Sequence, residues 1–226
     1  MRTLIIAALF FLLVAESGAQ QKTYDTLPNL PDHYKKRYEL FKKEPIVKGQ
    51  VIMLGNSITE GGLWKKLLQD SGVINRGISG DVTFGILNRI KDITDRQPSK
   101  IFILIGINDI SRNTPDEVIL ENIFTIMGKI RGRSPKTKIY LQSILPINES
   151  FKNLNPNYKG KSDHITKING QLQKYATKQK YTYVDLYSNF LDKDGTLDAK
   201  YTYDGLHLNG TGYAQWVEVL KREKYL

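Results

Sequence analysis

A run of five consecutive apolar residues near the middle of the chain, Ile101-Phe102-Ile103-Leu104-Ile105, constrains the fold more than any other segment. A strand with one face in water alternates apolar and polar residues, whereas a strand covered on both faces is apolar throughout. The run therefore predicts a central strand of a sheet that has helices packed on both of its faces.

Four further runs rich in β-branched and aromatic residues flank this strand, and segments with helical periodicity lie between them. The strands are predicted at Gln50–Leu54, Val73–Asn75, Ile101–Ile105, Ile139–Gln142 and Tyr183–Leu186. The helices are predicted at about Leu63–Asp70, Thr83–Thr94, Pro115–Arg131 and Ser162–Lys178, with a last helix from Asn209 to about Lys224. Strands separated by helices pair in parallel through right-handed crossovers. The sequence therefore predicts an α/β fold, a three-layer α/β/α sandwich around a five-stranded parallel sheet.

The first residues are typical of a signal peptide, which we predict at residues 1–19. Arg2 supplies a positive charge, and the apolar run over residues 4–14 is too short to span a bilayer as a helix. Small residues at positions 17–19 would allow cleavage before Gln20. We therefore expect export, to the periplasm or out of the cell, and no stable membrane insertion after cleavage. An uncleaved membrane anchor is the alternative.

The rest of the chain is long enough for one domain with a full core. A polar lead-in is predicted over residues 20–49, with a short helix near Asp32, and a single domain over residues 50–226. The net charge is +10, but the lysines are scattered and no arginine-rich or aromatic nucleic-acid pattern is visible. We expect no nucleic-acid partner, and the sequence leaves the oligomeric state open.

The first candidate for chemistry is a serine that follows the first predicted strand, in Gly55-Asn56-Ser57. Ligands of parallel α/β sheets bind beyond the carboxyl ends of the strands. Glycine allows a sharp turn there, and backbone N–H groups at a helix start would stabilise the oxyanion formed when Ser57 attacks an ester. The alternative is a serine that merely caps the helix.

A serine hydroxyl needs a base before it can attack an ester. Of the three histidines in the chain, only His207 has a carboxylate at a suggestive position, Asp204, with Gly205 between them to allow a turn. The carboxylate could hold one imidazole nitrogen and leave the other for Ser57. A solvated Asp-Gly turn beside an incidental histidine is the alternative.

Two further residues could supply hydrogen-bond donors for an oxyanion. Gly77 follows the second strand, where a bare backbone N–H can approach a ligand, and Asn108 follows the buried third strand. Together with the N–H of Ser57 they would form a three-pronged oxyanion hole. The alternatives are an ordinary turn glycine and an Asn-Asp turn that satisfies its own backbone.

Taken together, these segments resemble the SGNH or GDSL-type hydrolases, a family named for Ser, Gly, Asn and His residues. Three of them are similar to the platelet-activating-factor acetylhydrolase-like branch: Gly55-Asn56-Ser57-Ile58-Thr59, Arg76-Gly77-Ile78-Ser79-Gly80-Asp81 and Gly106-Ile107-Asn108-Asp109. The resemblance spans about residues 51–213. One departure is Asn56, where the family name has Asp, and we expect this residue to orient the loop rather than to react.

The resemblance implies a flavodoxin-like strand order of 2-1-3-4-5 and a serine esterase mechanism. Under it, Ser57 is the nucleophile, His207 the general base and then acid, and Asp204 its orienting carboxylate. Gly77 and Asn108 are implied as oxyanion donors beside the Ser57 N–H. No cofactor is expected, and three scattered histidines with no cysteine predict no metal site.

A long polar stretch over residues 149–163 follows the fourth strand, and long loops are often functional. Asn148, Tyr158 and Tyr203 are candidates for substrate contact, with a surface loop and packing tyrosines as the alternative. No long apolar lid is visible, so we expect small acyl esters, above all acetyl, on a small-molecule or glycan carrier such as a carbohydrate or sialate. The competing hypotheses are a lysophospholipase or thioesterase, and a non-catalytic glycan-binding protein on the same fold.

Overall fold

The computed structural model describes residues 30–226 and contains one five-stranded sheet. Its strands are β1 Val51–Gly55, β2 Val73–Gly77, β3 Lys100–Leu104, β4 Lys138–Gln142 and β5 Thr182–Val184. They lie in the order β2-β1-β3-β4-β5, and every neighbouring pair is parallel. This arrangement confirms the predicted sheet and its strand order. The predicted signal peptide, residues 1–19, lies outside the described residues.

The helices cover both faces of the sheet. They are α1 Asp32–Lys43, α2 Ser57–Glu60, α3 Trp64–Leu67, α4 Thr83–Asn88, α5 Ile90–Asp95, α6 Ile107–Ser111, α7 Asp116–Arg133, α8 Ser162–Tyr175 and α9 Gly210–Arg222. Single 3₁₀ turns occur at Pro156–Tyr158, Tyr187–Phe190 and Ala199–Tyr201. On one side α4, α5 and α8 pack against α7, and on the other α3 packs against α9. This division follows from right-handed crossovers, because β1 to β2 runs in the opposite direction across the sheet from the later connections.

The apolar run that predicted the central strand is buried on both faces. Ile101, Phe102, Ile103 and Leu104 are at most 1% exposed, and β3 lies between β1 and β4 in the sheet. On the α3–α9 face, the rings of Trp64 and Trp216 meet edge to face, 4.8 Å apart. Apolar burial of this extent is the main favourable contribution to folding.

Helix α1, which belongs to the predicted lead-in, packs directly onto the sheet domain. Phe41 is buried, and the guanidinium of Arg76 lies 4.4 Å from the centre of its ring. Arg96, which ends the α5 segment, donates to the backbone oxygens of Phe41 and Pro45 at 3.4 and 2.7 Å. The polar sequence of the lead-in concealed this contact, because only one face of the helix is turned to the domain, with Tyr34, Arg37, Tyr38 and Phe41 on it.

The predicted helix over Thr83–Thr94 is interrupted, and the interruption has an identifiable cause. Arg89 leaves helical geometry with φ −109° and ψ 14°, which separates α4 from α5. Its fully buried guanidinium donates to Asp81 Oδ2 at 2.8 Å and to the carbonyl oxygen of Gly55 at 3.2 Å. A buried ion pair with Asp81, together with the hydrogen bond to Gly55, which lies 34 positions away, therefore overrides the local helical pattern here.

Candidate active site

Ser57 is the first residue of α2, immediately beyond the carboxyl end of β1. The close approach of the end of β1 to β3 requires Gly55, since a Cβ on it would lie 2.3 Å from the carbonyl oxygen of Leu104. The helix is capped by Asn56, whose Oδ1 accepts the N–H of Ile58 at 3.0 Å. Ser57 is therefore not the capping residue, and that alternative is wrong. Among residues 30–226, no acceptor is found for its own N–H.

The structure brings the predicted serine, histidine and carboxylate together. His207 Nε2 lies 3.0 Å from Ser57 Oγ, and His207 Nδ1 lies 2.7 Å from Asp204 Oδ2. An ionised carboxylate can only accept, so the ring proton is assigned to Nδ1. Nε2 is then left as an acceptor for the Ser57 hydroxyl, which is the arrangement that activates a serine nucleophile.

The loop between the 3₁₀ turn Ala199–Tyr201 and α9 is built around Asp204. Its Oδ1 accepts the backbone N–H groups of Leu206 and His207 at 3.0 and 2.7 Å. Partial burial would raise the pKa of Asp204, but the hydrogen bonds from the His207 ring and these backbone groups outweigh it and lower that pKa. Gly205 adopts φ +85°, and a Cβ there would lie 2.4 Å from the carbonyl oxygen of Asn148. The alternative of a solvated turn is therefore wrong.

Asn108 lies on α6, directly after β3, and is only 4% exposed. Its Nδ2 donates to the carbonyl oxygen of Asp81 at 2.8 Å, and its Oδ1 accepts the hydroxyl of Tyr158 at 2.6 Å. An amide nitrogen carries two hydrogens, so one N–H of Asn108 remains for a ligand. The predicted side-chain donor is thus present and rigidly held.

The structure contradicts the oxyanion role predicted for Gly77. Its single N–H already donates to Asn75 Oδ1 at 2.8 Å. Gly77 is also the last residue of β2 rather than a turn residue, and a Cβ on it would lie 2.2 Å from the backbone nitrogen of Glu60. Glycine is required at this position by close packing of β2 against α2, and not by contact with a substrate.

The next glycine along the chain, Gly80, has the properties expected of Gly77. It lies at the third position of a turn closed by the Asp81 N–H and the Ile78 carbonyl oxygen at 3.0 Å, and its φ of +75° is one that favours glycine. The residue is exposed, and within the described part of the chain its N–H has no acceptor. Asn108 reaches the same turn through Asp81. In the sequence, the signal for Gly80 is that a second glycine follows Gly77 and directly precedes an aspartate, Asp81.

Glu60, the last residue of α2, connects this turn to the serine helix. Its Oε2 accepts the N–H of Ser79 at 2.5 Å, beside Gly80. From α1, His33 Nε2 lies 3.0 Å from Glu60 Oε2, and Arg37 Nε lies 3.4 Å from Oε1. Burial would raise the pKa of Glu60, but the bonds from His33 and Ser79 lower it. The carboxylate is therefore held as an anion that ties α1, α2 and the turn together.

The three residues predicted to contact substrate have different environments. Asn148 is buried, and its amide donates to the carbonyl oxygen of Leu197 at 2.8 Å and accepts from Ser150. That prediction is wrong, because the side chain is used within the fold. Tyr158 bonds to Asn108 as described above. Tyr203 is 60% exposed, and its ring stacks on that of His207 at 5.9 Å, so it borders the site.

Two features are absent from residues 30–226. No group of three or more metal-ligating side chains is present in that range. None of the helices found there combines the length and apolarity needed to cross a bilayer.

Comparison with known proteins identifies the class to which this fold and site belong. The model of the GDSL-like Lipase/Acylhydrolase family matches residues 53–215, more than half of the chain. The chain therefore belongs to the GDSL-like lipase/acylhydrolase family and is a carboxylic ester hydrolase. The resemblance predicted from the sequence motifs is confirmed.

Named relatives place the chain more closely within that class. It is 30% identical over 179 residues to human platelet-activating factor acetylhydrolase IB subunit alpha2, covering 76% of this chain and 73% of that protein. It is 31% identical over 206 residues to an arylesterase of Vibrio mimicus, covering 90% and 88%. Its fold is similar to that of a GDSL-like lipase from Bacteroides thetaiotaomicron, with a TM-score of 0.71, 27% identity and coverage of 85% and 98%.

Proposed function

We propose that this protein is an exported serine esterase that removes small acyl groups, acetyl above all, from carbohydrate or sialate esters. The observation that carries the proposed chemistry is the 3.0 Å approach of His207 Nε2 to Ser57 Oγ, with Asp204 on the far side of the ring. Serine, imidazole and carboxylate in this order are the parts needed for a covalent acyl-enzyme mechanism.

In the proposed reaction Ser57 Oγ attacks the ester carbonyl carbon while His207 Nε2 takes the hydroxyl proton. The tetrahedral oxyanion accepts hydrogen bonds from the N–H of Ser57, the N–H of Gly80 and the free N–H of Asn108. His207 then gives its proton to the departing alcohol, which leaves an acyl-Ser57 ester. Water, deprotonated by the same imidazole, hydrolyses that ester and restores the serine. One oxyanion donor contributes about 2.7–4 kcal/mol to such a reaction.

The preference for small acyl groups rests on the rim of the site and on the relatives. The stretch beyond β4 is polar, and of its two large apolar residues Leu154 is buried and Phe151 is partly buried against the core. Tyr203 presents an exposed ring beside His207, and an aromatic face of this kind suits stacking on a sugar ring. Among the relatives, one is named an acetylhydrolase and one an arylesterase.

An acyl-chain series tests both the chemistry and the acyl size. Turnover of p-nitrophenyl acetate, butyrate, hexanoate and octanoate should fall steeply with chain length, and Ser57→Ala should abolish all of it. Ser188→Ala is a matched control, since that exposed hydroxyl bonds only to Asp185. Octanoate turned over as fast as acetate would favour the lysophospholipase or thioesterase hypothesis. Release of acetate from acetylated xylan, mucin and sialate, screened with Ser57→Ala beside it, would then identify the carrier.

Export is tested separately, since it rests on residues 1–19 alone. Expression of the full chain in a bacterium, followed by fractionation and N-terminal sequencing, should give a processed protein that starts near Gln20. Recovery of the intact N-terminus in the membrane fraction would instead support the uncleaved anchor.

A further inference from the structure

The polar stretch between β4 and α8 reaches the site through one side chain. Tyr158 ends the 3₁₀ turn Pro156–Tyr158, is half-buried, and donates its hydroxyl to Asn108 Oδ1 at 2.6 Å. The two residues lie 50 positions apart in the sequence. The contact therefore joins a loop to the one side chain that supplies an oxyanion donor in the proposed function.

The direction of this hydrogen bond follows from the partner on the other end of the amide. The Asp81 carbonyl oxygen, 2.8 Å from Asn108 Nδ2, can only accept, so the amide nitrogen faces Asp81 and the amide oxygen faces Tyr158. Tyr158 must then donate. The Asn108 amide is held at both ends, which fixes its rotation and leaves one N–H with a single direction in which to point.

We propose that Tyr158 is a positioning residue for ester hydrolysis, which acts through Asn108 and does not need to touch the substrate. This inference rests on the proposed function. A donor on the amide oxygen draws electron density from the nitrogen, so the remaining N–H becomes a stronger donor to a developing oxyanion. The same bond prevents the amide group from rotating about its other hydrogen bond, which it donates to the Asp81 carbonyl oxygen. Without the hydroxyl, a nearly buried amide oxygen would also lose its partner.

Removal of the hydroxyl alone should leave the loop in place, because other contacts hold it. Leu154 is buried, Glu149 Oε1 accepts the N–H of Gly160 at 2.9 Å, and Lys161 donates to Asn113 Oδ1 at 2.6 Å. Tyr158→Phe keeps the ring and its packing. The variant therefore isolates the hydrogen bond from the fold of the loop.

A double-mutant cycle on p-nitrophenyl acetate tests the inference. Tyr158→Phe should lower kcat by about tenfold, as expected for loss of one hydrogen bond, with KM within about twofold. In the Asn108→Ala background the same change should have no further effect on kcat, because the side chain through which Tyr158 acts is absent. Tyr175→Phe, at the end of α8, where the ring packs against Phe124 of α7 at 5.7 Å, serves as the matched control, and thermal unfolding of each variant monitors the fold.

The outcomes separate this inference from the proposed function. An equal loss of kcat in both backgrounds, a change in KM alone, or no loss from Tyr158→Phe would each overturn the positioning role. Hydrolysis by Ser57→Ala at the normal rate would instead overturn the proposed function itself. If Tyr158→Phe does not fold, inhibition by phenylboronic acid, a tetrahedral mimic, supplies a second test on Tyr158→His. Its affinity should fall in that variant only where Asn108 is intact, and a loss in both backgrounds would overturn the inference.

Discussion

Replacement of Asp204 by asparagine should reverse the hydrogen-bond polarity of the histidine without removing any atom from the turn. Asp204 Oδ1 accepts two backbone N–H groups, those of Leu206 and His207. In Asp204→Asn these donors keep the amide oxygen on their side, so the NH₂ group faces His207 Nδ1. An NH₂ group can only donate. The imidazole proton must then move to Nε2, which becomes a donor to Ser57 and cannot act as a base.

The expected loss of kcat in Asp204→Asn follows from the free-energy cost of restoring the active tautomer of His207. The amide would have to flip, which leaves two backbone N–H groups, now at 3.0 and 2.7 Å from oxygen, without an acceptor. Each unsatisfied buried donor costs about 1–3 kcal/mol, so the flip costs about 2–6 kcal/mol. At 1.36 kcal/mol for each factor of ten, kcat should fall by about 30-fold to about 10⁴-fold.

The assay is kcat on p-nitrophenyl acetate, with thermal unfolding to verify the fold. Asp198→Asn is the matched control: Asp198 also accepts a backbone N–H, that of Lys200 at 3.1 Å, but has no histidine beside it. Because an Asn-Gly sequence slowly reverts to aspartate by deamidation, intact mass must be measured immediately before each assay. A rate within about threefold of the unmodified enzyme, with the mass of the variant retained, would refute the role given to Asp204.

Three further predictions concern stability. Burial raises the pKa of Asp109 to about 7 and that of Asp81 to about 6, against 3.8 for an unburied aspartate. Between pH 3.8 and these raised values the folded protein therefore holds more protons than the unfolded chain. The free energy of unfolding in urea should fall as pH rises from 5 to 8, and a rise would contradict this. Gly77→Ala should prevent stable folding, because its Cβ would lie 2.2 Å from the backbone nitrogen of Glu60; a soluble variant with normal thermal unfolding would count against it. Phe41→Ala should cost about 3–5 kcal/mol in urea unfolding, and a loss below about 1 kcal/mol would show that α1 does not support the domain.

The sheet could be predicted from the sequence because its signal is local. An unbroken apolar run such as Ile101–Ile105 has few other uses in a chain of this length, and parallel pairing then places the residues after each strand at one edge. Ser57 and Asn108 were found by this rule. The pair Asp204 and His207 was found by chemistry, since a base next to a carboxylate is needed by a serine nucleophile.

What could not be predicted depends on which of several possible partners each polar group takes. Gly77 and Gly80 are equally plausible donors in the sequence, and only the side chain of Asn75 decides which backbone N–H remains free. The sequence pattern places Arg89 inside a predicted helix, but its ion pair with Asp81 interrupts that helix. Residue type alone cannot specify such partners, even over two or eight positions in the chain, because each is fixed by the three-dimensional geometry of the surrounding backbone.

The buried charges behind the site show that its geometry is maintained at some expense of stability. Asp81 and Asp109 directly follow Gly80 and Asn108, two of the three residues that carry the proposed donors, and burial disfavours the charge of both carboxylates. Apolar residues of similar size would avoid that desolvation. An apolar residue in place of Asp81 would also remove the ion pair with Arg89 at 2.8 Å. That ion pair helps to hold the turn in which the Asp81 carbonyl oxygen accepts the Asn108 amide. We infer that these carboxylates fix the direction of hydrogen-bond donors. An apolar residue in place of Asp81 alone would leave the fully buried guanidinium of Arg89 without its ion-pair partner, so this variant should lose about 3–5 kcal/mol of stability as well as turnover. An apolar residue in place of Asp109 would leave the N–H and hydroxyl of Thr83 without their acceptor, with the same direction of effect.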